Sequence, residues 1–189
     1  MTLLVREYRT NKKSDAVVIL NLVLKKIYGF DDFTINFSYP KKIVNSFIEA
    51  EHLKDRERFH YKKAVILMGA NATGKTSLGK ALLRIFAYME NGMPSSLFEM
   101  VSGESGYFCI DFVNEDYRLQ RLCATICPAE NDVEIQYYAA DIDCMDSYEK
   151  CVSKLKDFTA QATKKISSLK EMIGDIQYRF AYPEIEKQL

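Results

Sequence analysis

The sequence predicts an α/β fold in which short strands dominate the first three quarters of the chain and a long helix follows them. Three observations support this prediction. Residues 33–37 and 107–113 alternate apolar with polar side chains, which is typical of half-buried strands. A short apolar run at 64–68 precedes a helical pattern that starts near Ser77. From Asp143 onward the apolar residues are spaced by alternating steps of four and three, as in an amphipathic helix.

Composition limits the classes of protein to which the chain can belong. Its 189 residues include 26 basic and 26 acidic side chains, so the length suits one domain with an appendage and the charge does not favour a dedicated nucleic-acid binder. The five cysteines form no C-x-x-C pair, so no zinc site is predicted. Cys109 and Cys123 are interpreted as reduced, partly buried thiols of a cytosolic protein. No apolar run approaches the ~18 residues of a membrane span, which predicts a soluble, cytoplasmic protein without a membrane partner.

Near the N-terminus the pattern indicates a β-hairpin. Residues 17–27 are rich in β-branched side chains, 28–32 supply a turn, and 33–37 form the second strand. The polar segment 39–63 is interpreted as an insertion, because it separates this hairpin from the apolar run at 64–68. That run has the length and composition of a fully buried strand.

The second half of the chain is predicted to contain a β-meander and then a helical arm. Three alternating runs are separated by polar turns and indicate antiparallel strands at 107–113, 117–126 and 133–140. The predicted organisation is therefore a lobe at 1–142, a helical arm at 143–182 and a tail at 183–189. Gly174 and Pro183 limit the length of the arm.

Residues 69–76 read Gly-Ala-Asn-Ala-Thr-Gly-Lys-Thr and fit the phosphate-binding pattern G-x-x-x-x-G-K-[ST] at every defined position. Gly69 and Gly74 let the backbone approach phosphates closely. Lys75 is predicted to reach the β- and γ-phosphates, the Thr76 hydroxyl to ligate Mg²⁺, and Ser77 to donate an additional hydrogen bond. The predicted nucleotide-binding residues are Gly69, Ala70, Asn71, Ala72, Thr73, Gly74, Lys75, Thr76 and Ser77.

The order of these features resembles the opening of ABC-type ATPases of the SMC, RecF and OLD-like group, within the AAA family ATPases. The hairpin at 27–37 is followed by Val65-Ile-Leu-Met-Gly-Ala-Asn-Ala-Thr-Gly-Lys-Thr76, in which Asn71 matches the asparagine of that group's loop, G-x-N-x-x-G-K-[ST]. The resemblance implies a P-loop NTPase lobe that uses ATP and Mg²⁺. It also implies an ATP-sandwich homodimer, a DNA or effector-protein partner, and a role in a DNA transaction or in phage defence.

The chain departs from that group in two ways. Tyr28 and Gly29 precede Phe30 where the group has Asn-Phe, so no adenine contact is assigned in the hairpin. The group also carries a signature motif, a Walker B strand and a switch histidine after the arm, and none of these is recognised between residues 1 and 189. Catalytic residues are therefore not assigned, and hydrolysis by this chain alone is expected to be negligible.

Two short segments have sequences similar to the missing motifs. Residues 101–105 resemble the signature and 107–111 resemble a Walker B strand, but one residue separates them where a whole helix is required. Asp111 is therefore interpreted as a solvent-facing charge on a half-buried strand. Gln120 and Gln136 are interpreted as strand-face glutamines and not as Mg²⁺-contacting residues.

Two other classes of protein fit the motif. One is a regulatory module that binds nucleotide without turnover and dimerises through the helix at 148–176. The other is a P-loop kinase or GTPase, although the sequence contains neither an N-K-x-D motif nor an arginine-rich lid.

Overall fold

The computed structural model describes residues 17–40, 48, 51–70, 73–114 and 116–157. Asn71, Ala72 and the greater part of the predicted arm and tail, 158–189, lie outside the described residues. The described secondary structure consists of β1 (Val18–Lys25), β2 (Phe33–Asn36), β3 (His52–Leu53), β4 (Arg56–His60), α1 (Lys75–Asn91), α2 (Ser95–Phe98), β5 (Gly106–Val113), β6 (Arg118–Cys127), β7 (Asp132–Asp141) and α3 (Tyr148–Asp157).

A five-stranded antiparallel sheet with the order β2-β1-β5-β6-β7 organises the structure. The α/β class and the antiparallel meander of β5, β6 and β7 are confirmed. Between β5 and β6 the Tyr117 N–H donates to the Asn114 carbonyl at 3.2 Å, and a 3-10 turn at Pro128–Glu130 joins β6 to β7. These short connections keep consecutive strands adjacent, as expected for a meander.

Helix α1 packs its apolar stripe on one face of the sheet. Leu78, Leu82 and Ile85 are buried there with strand residues that include Leu22 and Ile110. The helix begins after Gly74, whose φ is 84°, and ends at Gly92, whose N–H donates to the Tyr88 carbonyl at 2.7 Å. Both glycines occupy the left-handed region that side chains disfavour, so they limit the helix at each end.

The opposite face carries a second, smaller core. Phe59 of the β3–β4 hairpin and Cys151 and Leu155 of α3 are buried against Leu119 of the sheet. The segment 39–63, predicted as an insertion, therefore contributes a packed hairpin to this face. Within the described residues no helix is long and apolar enough to span a membrane.

The predicted strand at 64–68 is wrong: this segment lies outside both sheets of the structure. Ile66 is 66% exposed and Met68 is 87% exposed, whereas a buried strand would hide both side chains. A strand requires neighbours that satisfy its backbone N–H and C=O groups, and no described residue pairs with 64–70. Its apolar composition was therefore not enough to place it in a sheet.

Asp111 does not face solvent, contrary to the prediction. Its side chain is fully buried and accepts hydrogen bonds from Arg121 Nε at 2.6 Å and Arg121 Nη2 at 2.7 Å. The Tyr148 hydroxyl of α3 donates to the same carboxylate at 2.5 Å. Arg121 lies directly opposite Asp111 in the β5–β6 register, so this pairing follows from the strand alignment.

Cys109 and Cys123 are also directly opposite each other on β5 and β6, and a disulfide joins them. The prediction that these two residues are reduced thiols is therefore wrong. Sequence alone could not show the pairing because the two cysteines, 14 positions apart in the sequence, belong to no motif that reports it.

The described part of the arm begins later than predicted. Helix α3 starts at Tyr148, and residues 143–147 form a loop in which the Asp143 N–H donates to Asp146 Oδ2 at 2.9 Å. Asp146 is buried and pairs with Lys150 Nζ at 2.7 Å and Lys154 Nζ at 2.5 Å. This carboxylate therefore ties the first turns of α3 to the loop before it.

The Asp146 cluster predicts acid sensitivity. Burial alone would raise the pKa of this carboxyl, but hydrogen bonds from Lys150, Lys154 and the Asp143 N–H outweigh burial and hold it well below the ordinary value of 3.8. Because the folded-state pKa is depressed, this contribution to stability is present above about pH 4 and is lost as the pH falls further.

Urea unfolding of the wild type and of Asp146→Asn between pH 7 and pH 3 tests this expectation. The wild type should lose more stability than the variant in the acidic part of that range. Asp31→Asn is the matched control, since the pKa of the Asp31 carboxyl is also lowered, by Lys26, but the side chain is exposed. Equal acid sensitivity of the wild type and Asp146→Asn would contradict the assigned role of the cluster.

Candidate functional site

The loop before α1 curls around the ammonium group of Lys75. Lys75 Nζ donates to the Gly69 carbonyl at 2.7 Å, to the Ala70 carbonyl at 2.5 Å and to Thr73 Oγ1 at 3.0 Å. The Thr73 hydroxyl in turn donates to the Ala70 carbonyl at 2.9 Å. The lysine is thus folded back across the loop, and its charge lies at the loop's centre.

The structure explains why glycine is needed at both defined positions. A Cβ on Gly69 would lie 2.9 Å from Thr73 Oγ1, and a Cβ on Gly74 would lie 2.9 Å from the Phe30 ring. Gly74 also has a positive φ of 84°, which favours glycine independently of the space available. Side chains at these positions would therefore open the loop or displace Phe30.

The first turn of α1 provides an environment suited to an anion. It has no side-chain cap and contains no acidic residue. The N–H groups at a helix start carry the positive end of the helix dipole and have no partner within the helix. Residues Thr73, Gly74, Lys75, Thr76 and Ser77 line a cavity of about 590 Å³ in front of this helix start.

An aromatic turn forms the other wall of the cavity. Tyr28, Gly29 and Phe30 line it, and Tyr28 and Gly29 have positive φ values of 48° and 81°. The Tyr28 N–H donates to the Met100 carbonyl at 2.8 Å, which fixes the turn to the segment after α2. The sequence predicts a turn here but no contact between it and the loop, because Phe30 and Gly74 are far apart in the sequence and become neighbours only in the fold.

Most of the predicted nucleotide-binding residues therefore come together. Thr73 to Ser77 line the cavity, and the carbonyls of Gly69 and Ala70 bind Lys75.

Three polar residues considered as metal contacts in the sequence do not line the loop cavity. Asp111 belongs to the buried ion pair on the face opposite α1, and Gln120 accepts a 2.9 Å hydrogen bond from the Tyr137 hydroxyl. Gln136 is exposed on β7, so both glutamines lie on strands as predicted.

The predicted Mg²⁺ ligand, Thr76, lies at the cavity and is exposed, so its hydroxyl is available to a cation bound beside phosphate oxygens. Among the described residues, no group of three or more His, Cys, Asp or Glu side chains is placed to hold a metal. For the predicted metal contact, the described residues therefore show the position of one oxygen ligand, the Thr76 hydroxyl.

Comparison of the chain with protein-family models and with curated protein sequences finds no match.

Proposed function

We propose that the chain binds a nucleoside triphosphate, ATP in particular, through the loop at 69–77. The observation that supports this proposal most strongly is the position of Lys75, whose ammonium is held at the centre of a loop that side chains at Gly69 or Gly74 would obstruct. The ammonium binds carbonyl oxygens of the loop, which are weaker acceptors than phosphate oxygens. Phosphates are stronger, charged acceptors for the same donor.

The surroundings of the loop favour an anion over a neutral ligand. The uncapped start of α1 and the Lys75 ammonium both present positive charge to the cavity. The Thr76 and Ser77 hydroxyls add donors beside them. A triphosphate with its Mg²⁺ satisfies all of these groups at once, so we assign the β- and γ-phosphates to Lys75 and the cation to Thr76.

The wider role we propose is that of the ATP-binding part of an ABC-type ATPase of the SMC, RecF and OLD-like group. Support comes from the motif and its asparagine at position 71, from the antiparallel sheet, and from α3 at the start of the predicted arm. Coupling of ATP to a DNA transaction or to phage defence, and dimerisation around ATP, belong to this proposal and rest on the resemblance.

A nucleotide-binding module without turnover is the second candidate. The observation in its favour is the absence, among the described residues, of an acidic side chain lining the loop cavity. Hydrolysis requires a group that positions the attacking water and a second acidic ligand for Mg²⁺. The purified 189-residue chain is therefore expected to bind ATP and to release phosphate negligibly.

Thermal melts with increasing Mg²⁺-ATP test the proposal, because a ligand that binds only the folded state raises the melting temperature by mass action. The expected result is a rise with ATP and no rise with adenosine, which has no phosphates. Steady-state phosphate release by the purified chain is expected to be negligible for both candidates, because no described residue that lines the loop cavity is acidic. Turnover on the order of 1 per second would favour a complete ATPase site. No shift in the melting temperature at millimolar ATP would overturn the binding proposal.

A further inference from the structure

A second cavity adjoins the one in front of the loop. It has a volume of about 290 Å³ and is lined by Tyr28, Lys80, Leu83, Arg84 and Glu99. Tyr28 lines both cavities, so the two form neighbouring compartments on either side of one residue. The motif at 69–77 does not include any side chain of this second cavity.

The walls of this second cavity are fixed to one another. Arg84 Nη1 donates to the Ser96 carbonyl at 2.9 Å and its Nη2 forms an ion pair with Glu99. The Tyr28 N–H binds the Met100 carbonyl, next to Glu99 in the chain. The aromatic turn, α1 and the segment after α2 are therefore connected directly, which pre-organises the space between them.

The second cavity lies further along α1 than the loop, by a length comparable with that of a nucleoside. An α-helix rises 1.5 Å per residue, so Lys80 and Arg84 lie roughly 7.5 and 13.5 Å further along α1 than Lys75. A ribose and base extend over a comparable distance beyond the phosphates. A nucleotide with its phosphates at Lys75 can thus place its base beside Tyr28 and Lys80.

The chemistry of the lining suits a nucleobase. Tyr28 supplies an aromatic side chain and Leu83 an aliphatic one, which favour a flat, weakly polar ring. The Lys80 ammonium forms no hydrogen bond or ion pair with any described residue, so it is free to donate to a ring nitrogen or carbonyl. Glu99 is 67% exposed and lines the same cavity, where the carboxylate oxygen that does not pair with Arg84 is an acceptor.

We propose that this second cavity is the base-binding compartment of the nucleotide site and that Lys80 and Glu99 read the edge of the base. A donor and an acceptor in one cavity match the hydrogen-bonding edge of a nucleobase, and a purine reaches further from the ribose than a pyrimidine does, so the position of this cavity beyond the loop favours a purine. The inference rests on the proposed function, since it takes the phosphates to be bound at Lys75. It assigns the preference for one class of nucleotide to residues outside the P-loop motif.

The test compares ATP, GTP, CTP and inorganic tripolyphosphate by calorimetry, with Mg²⁺ and the full chain. Lys80→Met keeps the aliphatic stem and removes the donor, and Lys54→Met on the exposed β3–β4 turn is the matched control. For the wild type we expect purine triphosphates to bind more tightly than CTP or tripolyphosphate. Lys80→Met should weaken purine binding about fivefold and leave tripolyphosphate within about twofold, since only the base contact is lost.

Each outcome bears on one of the two proposals. If the wild type binds tripolyphosphate as tightly as ATP, or if Lys80→Met weakens both equally, the base compartment is refuted while the phosphate site stands. If the wild type binds neither ATP nor tripolyphosphate, the proposed function fails and the base compartment fails with it. A selective loss of purine binding in Lys80→Met, unchanged in Lys54→Met, supports the assignment.

Discussion

Lys75→Ala is expected to weaken ATP binding about 100-fold while leaving the fold intact. Hydrogen bonds to a charged acceptor are worth about 1.5–3 kcal/mol each, and two phosphates lose the same ammonium donor. The lost affinity therefore corresponds to about 3 kcal/mol. The fold is spared because, among the described residues, the ammonium donates to Gly69, Ala70 and Thr73 of the exposed loop, whose oxygens can bind water once it is removed.

Calorimetry with Mg²⁺-ATP measures this loss, and thermal melts without nucleotide measure the fold. Lys54→Ala is the matched control, because it removes an exposed lysine from the turn between β3 and β4. The buried side chains of that hairpin, Leu53 and Phe59, belong to the second core, on the face of the sheet opposite α1. Lys75→Arg adds a second comparison. A planar guanidinium is longer and cannot occupy the same space between the loop carbonyls, so it should also bind poorly. ATP affinity in Lys75→Ala equal to that of the wild type would remove the phosphate site from consideration.

Local patterns in the sequence were sufficient to predict the meander and the helix that follows residues 69–74. The predicted strands at 107–113, 117–126 and 133–140 differ from β5, β6 and β7 by one residue at the ends, because alternation marks a half-buried strand without reference to its neighbours. The hydrogen bonds of the loop are also local. The contacts of Lys75 with Gly69, Ala70 and Thr73 all join residues within one short segment.

Features that depend on distant parts of the chain were not predictable. Residues 64–68 have the composition of a buried strand, but pairing requires a neighbour that composition does not report. The partners of Asp111 come from the opposite strand and from Tyr148, 37 residues away in the sequence. The contact of Phe30 with Gly74 is likewise long-range. Each of these is a tertiary contact, and a single sequence carries no local signal of it.

The network around Asp111 should make a large contribution to stability that an exposed pair of the same type does not make. Asp111→Ala would leave the Arg121 guanidinium, only 23% exposed, and the buried Tyr148 hydroxyl without their acceptor. Removing one partner of a buried ion pair costs about 3–5 kcal/mol. In a chain of this size that corresponds to a fall in melting temperature of roughly 10 °C.

Asp141→Ala provides the matched control for that measurement. Asp141 pairs with Arg118 at 3.0 Å across the adjacent strands β6 and β7, and the two side chains are 84% and 49% exposed. An exposed pair of this kind is worth at most about 1 kcal/mol, so its loss should hardly change the melt. Asp111→Asn retains an oxygen that can accept from Tyr148 and should fall between the two alanine variants. A loss in Asp111→Ala no greater than that in Asp141→Ala would contradict the buried network.

If, in addition, Asp111→Asn abolished the stabilisation by Mg²⁺-ATP, Asp111 would belong to the nucleotide site. Its position on the face of the sheet opposite α1 predicts instead that this stabilisation persists.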